Sequence, residues 1–300
     1  MNFGTRTDEA ESRRIIDRAI ERGIRVLDTA NVYGDGKSEA IIGRALSERR
    51  GDVKLATKCG LFRRGGRSEG LSATAIRTAL DESLARLNVG SVDVYYFHAP
   101  DPATPFEESL AAVDAEVRAG RVGKLGLSNF AAWKVLEMKQ IAEARGWACP
   151  AIAQQLYNLV IRQLDIEYWA FAARHPIHTT VYNPLGGGLL AREPNHEGSQ
   201  SEARFSRNPI YRKRYGSDRM AEVATAYSAL AHDEGMSLLE FAYAWLAERP
   251  GVDSILVGPA TVAHLDAAID AVDRPLSEEV RVRVDALHRD LAGTDASYAR

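Results

Sequence analysis

The chain alternates short apolar runs with amphipathic stretches, and this alternation constrains the fold more than any other feature. The runs are rich in β-branched and aromatic residues and almost continuously apolar, which is typical of strands buried on both faces. Seven such runs cover residues 24–27, 53–57, 92–97, 122–127, 151–155, 179–182 and 254–257. Their alternation with helices predicts an α/β protein with parallel strands and right-handed crossovers. An open doubly wound sheet and a closed (β/α)8 barrel both satisfy this pattern.

Helix start signals mark the stretches between the runs. Ser72 and Ser237 are expected N-caps, and Thr104 with Pro105 and Glu107 has the form of a capping box. No G-x-G-x-x-G pattern follows any run, which disfavours the open dinucleotide-binding sheet. We therefore expect a single barrel domain over residues 1–300, with a long basic loop at about 191–218.

Composition and charge limit the function classes. The chain is 45% hydrophobic and 26% charged, as in ordinary globular proteins, and its formal net charge of −3 disfavours a nucleic-acid surface. Two cysteines do not make a disulfide framework, and they indicate a reducing compartment. Neither a signal peptide nor an apolar stretch of membrane-spanning length is present in the sequence. We expect a cytoplasmic protein without nucleic-acid or membrane partners.

Polar residues stand at the carboxyl ends of the runs, where barrels carry their chemistry. Asp28, Lys58 and His98 each directly follow a run, and Tyr33 lies in the loop after Asp28. A tyrosine is a poor acid near pH 7 because its unperturbed pKa is about 10, but a neighbouring lysine ammonium lowers that pKa. A carboxylate keeps a buried lysine charged, and a neutral histidine can donate a hydrogen bond to a carbonyl oxygen. Each residue alone has an ordinary structural interpretation, whereas together they fit one mechanism.

Several motifs carry a resemblance to a known family. They read DTANVYG at residues 28–34, LATK at 55–58, YFH at 96–98, GLSNF at 126–130 and NPLGGGLL at 183–190. With these motifs the sequence resembles the aldo-keto reductase superfamily, and it is most similar in appearance to the aflatoxin aldehyde reductase group. The segments 211–215 and 298–300 also resemble that group.

The resemblance implies a (β/α)8 TIM barrel that reduces aldehydes or ketones to alcohols by hydride transfer from a nicotinamide cofactor. NADPH is the expected cofactor, with NADH as the alternative. Tyr33 would be the general acid, and Asp28, Lys58 and His98 would complete the catalytic set. Members begin with a hairpin and a strand that have no counterpart among the seven runs. Either the true start lies upstream of Met1 or most of the first strand is absent, which leaves unpaired barrel edges.

The resemblance also assigns binding residues. The cofactor would contact Asp28, Ser128, Asn129, Gln154, Tyr182, Asn183, Leu185, Gly187, Gly188, Leu189, Arg204, Gly258 and His264. The substrate would contact His98, Tyr211, Arg214 and Arg300. Two arginines suit a carbonyl substrate that also carries a carboxylate. The same group implies a homodimer.

One departure concerns the loop at 258–264, where members selective for NADPH carry lysine and arginine; here His264 is the one cation.

Two other functions compete with a reductase. The first is a cofactor-binding regulatory protein similar to the β subunits of voltage-gated potassium channels. The second is an isomerase or lyase with the same architecture, which would have no use for the nicotinamide-binding set. A metal site is not expected, since the seven histidines lack ligand spacing.

Overall fold

The computed structural model describes residues 1–191 and 209–293. Its strands are β1 (Val26–Asp28), β2 (Lys54–Cys59), β3 (Arg63–Arg64), β4 (Arg67–Ser68), β5 (Val92–Phe97), β6 (Val122–Ser128), β7 (Pro150–Leu156), β8 (His178–Tyr182) and β9 (Ser254–Ile255). Its α-helices are α1 (Glu9–Glu21), α2 (Lys37–Ala45), α3 (Ala73–Leu87), α4 (Phe106–Arg118), α5 (Ala132–Arg145), α6 (Tyr168–Arg174), α7 (Pro209–Tyr215), α8 (Asp218–Asp233), α9 (Leu238–Ala247), α10 (Val262–Ala271) and α11 (Glu278–Ala292). Each of the seven predicted runs overlaps a strand.

The main sheet has the strand order β1-β2-β5-β6-β7-β8-β9, which follows the chain from one edge to the other. The four pairs from β1 to β7 are parallel. A doubly wound sheet changes direction at a switch point, and its strand order therefore reverses. The sequential order observed here is that of a barrel-type sheet.

Two compact units divide the chain. The first, which we call the N-terminal unit, comprises residues 1–155, 174–180 and 258–265. The second, the C-terminal unit, comprises residues 156–173, 181–257 and 266–300. The single domain expected from the sequence stays a prediction.

In the N-terminal unit, helices pack their apolar stripes on the strands. Ser72 is the N-cap of α3 and accepts a hydrogen bond from the Ala75 amide, as predicted. The α3 residues Ile76, Leu80, Leu84 and Leu87 are buried. The capping box predicted at Thr104 is wrong: the N-cap of α4 is Pro105, which makes no side-chain cap. The reason is local, because the Thr104 hydroxyl donates to Asp101 instead, at 2.7 Å.

The C-terminal unit has its own core, which large aromatic residues dominate. Tyr157, Tyr215, Tyr227, Phe241 and Trp245 are all buried in it. Its α9 begins with the expected N-cap Ser237, which forms a complete capping box with Glu240. This cap fixes the start of the most apolar helix in the unit.

The residues before α1 form a turn and not a strand. Within the described part of the chain, they contain one isolated bridge, between Phe3 and Thr7. Asn2 donates to the carbonyl oxygens of Gly258 and Pro259, at 2.9 and 3.0 Å. This segment therefore attaches to the loop before α10. None of the described helices combines the length and the apolar character that a membrane crossing requires.

Candidate active site

The strand register of the N-terminal unit brings the polar strand ends onto one face. Laterally paired residues of a parallel sheet share a face, and side chains alternate along each strand. The observed pairs are Asp28 with Ala56, Lys58 with Tyr96, Tyr96 with Gly126, and Ser128 with Gln154. Five neighbouring strands therefore present Asp28, Lys58, Tyr96, Ser128 and Gln154 on the same face.

Lys58 is the buried cation of this site, with no exposed surface. Its ammonium donates to Oδ1 of Asp28 and to the carbonyl oxygen of Thr29, the latter at 2.8 Å. Burial lowers the pKa of Lys58, and the negative charges of Asp28 and Glu39 oppose that change. The ion pair thus holds a titratable amine in a fully buried position.

Asp28 bridges two predicted site residues. Its Oδ2 accepts a hydrogen bond from Nε2 of Gln154 at 3.0 Å, while its Oδ1 accepts from Lys58. Gln154 comes from β7, 126 residues away in the chain. The carboxylate is therefore fixed from two sides, and its position fixes that of the lysine.

Tyr33 lies in the loop that follows β1. The Nζ of Lys58 is 5.5 Å from the centroid of the Tyr33 ring. The rings of Tyr33 and His98 meet edge to face, with centroids 5.7 Å apart. Backbone bonds from the Tyr33 amide to Ala30 and from the Ser38 amide to the Tyr33 carbonyl shape the loop. The four residues predicted for catalysis are consequently neighbours.

His98 is buried and neutral over the physiological range. Burial is the largest cause that lowers the pKa of His98 to about 3, followed by the positive charges of Lys58 and the N-terminal amine. Its Nδ1 is buried and has no hydrogen-bond partner among the described residues. A neutral imidazole donates one hydrogen bond and accepts one, so it can polarise a carbonyl without carrying charge.

The residues at the ends of β6 and β7 fit a carboxamide group. Asn129 has a left-handed backbone, with φ of 65°, and its Nδ2 donates to the His98 carbonyl oxygen and to Ser128 Oγ at 2.9 and 3.0 Å. A hydroxyl and two side-chain amides, from Ser128, Asn129 and Gln154, both donate and accept hydrogen bonds. That mixed set matches the NH₂ and oxygen of a nicotinamide carboxamide.

In the C-terminal unit, the predicted residues Tyr182, Tyr211 and Arg214 lie together. Burial raises the pKa of Tyr182, while the charge of Arg214 and a hydrogen bond from it act in the opposite direction, and Tyr211 is also close. Oδ1 of Asn183 accepts a hydrogen bond from the Gly187 amide at 2.7 Å, and Nδ2 of Asn183 donates one to the Tyr215 hydroxyl at 2.8 Å. This cluster organises the turn that follows β8.

That turn is rich in glycine for a conformational reason. Gly187 and Gly188 have φ of 69° and 110°, values that residues with a side chain rarely adopt. A Cβ on Gly187 would also lie 3.1 Å from the Tyr215 ring. Leu185 and Leu189 pack against the core of the unit. The turn therefore leaves its backbone open to close approach, while its amides donate hydrogen bonds within the turn.

The last two described candidates, Gly258 and His264, belong to the N-terminal unit. His264 is exposed at the start of α10, and its amide donates to Thr261 Oγ1 at 3.3 Å. The Val262 amide donates to the carboxylate of Glu11 at 3.0 Å. Arg204 and Arg300 lie outside the described residues.

The structure adds residues that the sequence analysis missed. Buried Glu39 accepts hydrogen bonds from the Thr57 hydroxyl and from Arg86, at 2.5 and 2.7 Å, and its charge acts on Lys58. Glu69 ends the basic β3–β4 hairpin and accepts from Asn31, at 2.7 Å. The Gly-Gly dipeptide at residues 65 and 66 was a usable hairpin signal. Neither Glu39 nor Glu69 was assigned a role from the sequence, since their hydrogen-bond partners are distant in sequence.

Comparison with known proteins identifies the family. The model of the aldo/keto reductase family matches residues 1–289. An aflatoxin B1 aldehyde reductase member 2 from Rattus norvegicus is 33% identical, over 93% of this chain and 80% of its own length. The uncharacterized oxidoreductase YrpG of Bacillus subtilis (strain 168) is 32% identical, over 93% and 87%. A probable voltage-gated potassium channel subunit beta from Arabidopsis thaliana is 30% identical, over 91% and 85%.

The chain belongs to the aldo/keto reductase family, and it is an oxidoreductase of that family. The family fold is the (β/α)8 barrel, so the predicted fold class is confirmed. The family resemblance drawn from residues 28–34 and the later motifs is confirmed as well.

Proposed function

We propose that the chain reduces an aldehyde or ketone with NADPH or NADH, and that Tyr33 protonates the carbonyl oxygen. The arrangement around Lys58 carries this proposal: a fully buried ammonium paired with Asp28 lies 5.5 Å from the Tyr33 ring. Such a charge favours the phenolate and makes the phenol a better acid. His98, uncharged, would orient the carbonyl.

Bound cofactor would supply the hydride, and the protein would supply geometry and the proton. Ser128, Asn129 and Gln154 would bind the carboxamide, and Tyr182 would stack on the nicotinamide ring. The residues 183, 185 and 187–189 would lie along the pyrophosphate. Arg204, Gly258 and His264 would contact the rest of the cofactor, while Tyr211, Arg214 and Arg300 would face the substrate.

NADPH is the proposed cofactor, with NADH as the alternative. The loop at 258–264 is where the resemblance puts the adenosine end, and His264 is its one cation. Glu11 accepts the Val262 amide there, so a 2′-phosphate would share this helix start with a carboxylate. A comparison of kcat/KM with NADPH and with NADH decides which cofactor the protein prefers. A cytoplasmic location and a homodimer also remain proposals.

The decisive experiment follows the absorbance of the reduced nicotinamide with 4-nitrobenzaldehyde. Tyr33→Phe should lower kcat by ~10²–10⁴-fold, the usual contribution of a general acid. Tyr95→Phe is the matched control, because Tyr95 is buried on β5 with its hydroxyl on the Ile76 carbonyl oxygen, away from the site. Wild-type protein that binds cofactor but turns over no carbonyl would instead favour the regulatory function.

The substrate class we propose is a carbonyl compound with a carboxylate. Its support is the guanidinium of Arg214 beside Tyr182. Arg214→Ala should raise KM for succinic semialdehyde on the order of tenfold and leave 4-nitrobenzaldehyde unchanged, since a charge-assisted hydrogen bond is worth a few kcal/mol at most. Equal effects on both aldehydes would contradict the proposal.

A further inference from the structure

Tyr96 is a buried residue whose ring, like that of Tyr33, lies near the ammonium of the catalytic lysine. It lies on β5, two residues before His98, and pairs laterally with Lys58. The Nζ of Lys58 is 5.4 Å from the Tyr96 ring centroid and 5.5 Å from that of Tyr33. An ammonium near an aromatic face is attracted by the negative potential of the ring, most strongly where water is excluded.

The hydroxyl end of Tyr96 meets the amide that fixes Asp28. Burial raises the pKa of Tyr96, and the side chains of Gln154 and Thr180 oppose this as hydrogen-bonding neighbours of the hydroxyl. Gln154 in turn donates to Oδ2 of Asp28 at 3.0 Å. One side chain thus touches the lysine through its ring and the partner of the aspartate through its oxygen.

The neighbouring strand is shaped to receive this ring. A Cβ on Gly126 would lie 2.3 Å from Cδ1 and from Cε1 of Tyr96, closer than atoms can approach. Gly126 does not have a positive φ, so its backbone conformation does not require glycine. Close approach of the Tyr96 ring is the reason that a side chain cannot be accommodated there.

We infer that Tyr96 is a positioning residue of the reducing site, which places the Lys58 ammonium against Tyr33 through its ring and Gln154 against Asp28 through its hydroxyl. This inference rests on the proposed function. It separates two effects within one residue: the ring acts on proton transfer, and the hydroxyl acts on cofactor binding through Gln154.

Several charged and titratable groups face Lys58 and contribute to any pH dependence. They are Asp28 at the end of β1, Glu39 on α2, the phenol of Tyr33, His98 after β5 and the N-terminal amine. All of them are retained in Tyr96 variants. A change in the pH profile of such a variant therefore reports the altered position of Lys58.

Four variants test the inference. Tyr96→Phe keeps the ring and removes the hydroxyl, and Tyr96→Leu removes both. Gly126→Ala keeps the whole Tyr96 side chain but displaces its ring. Tyr95→Phe removes one buried hydroxyl from the opposite face of the same strand and serves as control. Each is assayed for kcat and kcat/KM against pH, and for the Kd of NADPH by quenching of protein fluorescence without substrate.

Tyr96→Leu and Gly126→Ala should lower kcat on the order of tenfold, as expected for a weakened cation–π contact. Both should also move the alkaline limb of kcat/KM to higher pH, because a less well placed ammonium lowers the pKa of Tyr33 less. Tyr96→Phe should retain that limb and raise the Kd of NADPH about fivefold, the effect of about one lost hydrogen bond. Tyr95→Phe should leave the alkaline limb of kcat/KM and the Kd of NADPH unchanged.

The inference is overturned if Tyr96→Phe and Gly126→Ala both match Tyr95→Phe in pH limb and in Kd. It is equally overturned if Tyr96→Leu lowers kcat while the limb and Kd stay at wild-type values, because that outcome reports only a packing role. Failure of the proposed function looks different, since wild type then turns over no carbonyl. In that case the Kd of Tyr96→Phe, compared with Tyr95→Phe, still decides whether the hydroxyl orders the cofactor site.

Discussion

Lys58 and Arg162 are both buried cations with a carboxylate and aromatic rings around them, yet they differ in chemistry. Lys58, in the N-terminal unit, pairs with Asp28 and lies near two tyrosine rings. Arg162, in the C-terminal unit, pairs with Asp285 at 2.7 Å and lies 4.4 Å from the Trp245 ring centroid. One cation can lose its proton, and the other cannot within the range of protein chemistry.

The surroundings match this difference. Arg162 donates to the carbonyl oxygens of Leu159 and Val284 and to the carboxylate of Asp285, so its planar group connects its own loop to α11. The ammonium of Lys58 makes fewer protein contacts and faces a phenol. Burial lowers its pKa, so its charge depends on the exact position of Asp28. We conclude that the lysine environment suits proton transfer and the arginine environment suits attachment of α11.

The largest predicted effect is the loss of catalysis in Lys58→Met. Without the ammonium, Tyr33 becomes an ordinary phenol, and kcat should fall by ~10²–10⁴-fold. Steady-state kinetics with 4-nitrobenzaldehyde measures the loss, and circular dichroism with the Kd of NADPH shows whether the site is otherwise intact. A folded, cofactor-binding Lys58→Met that retains kcat within about threefold would contradict the role of the lysine.

The two cations also differ in how far sequence could predict them. Asp28, Lys58 and His98 follow apolar runs, and parallel strands bring their carboxyl ends together, so the site was predictable as a group. Arg162 gave no signal, because its partner Asp285 is 123 residues away. Tyr96 resembled any other apolar residue of a buried strand. Its role depends on contacts across two neighbouring strands, which hydrophobic patterns do not encode.

Arg162→Met should lower stability and leave catalysis almost unchanged. The substitution removes hydrogen bonds from the buried carbonyl oxygens of Leu159 and Val284, which should cost about 2 kcal/mol of unfolding free energy. Urea unfolding measures this loss of unfolding free energy, and kcat should stay within about twofold of wild type. Arg283→Met is the matched control, since the half-exposed pair of Arg283 with Asp233 should contribute about 0.5 kcal/mol or less. Equal destabilisation by both variants would remove the distinction between the buried and the surface arginine.

A histidine lies near each buried cation, and acid should destabilise the protein through both. Burial is the first cause that lowers the pKa of His98 to about 3 and that of His288 to about 4, with Lys58 and Arg162 as the next cause, respectively. Between these values and about 6.5 the unfolded chain binds a proton that the folded chain does not. Below about pH 6 each histidine therefore makes the unfolding free energy fall with falling pH, by up to about 1.4 kcal/mol per pH unit for buried His98 and by less for the partly exposed His288.

Single replacements separate the two contributions. Between pH 4.5 and 6, His98→Asn should reduce the slope of unfolding free energy against pH by up to about 1.4 kcal/mol per unit, and His288→Asn should reduce it by less. Removal of a cation gives a smaller effect: Lys58→Met should raise the pKa of His98, and Arg162→Met should raise that of His288, because a repelling charge is lost. The acid loss of stability would then end at a higher pH in each variant. If the acid loss of stability ends at the same pH in the two cation variants as in wild type, burial alone accounts for both histidines, and the neighbouring charges have no measurable part in it.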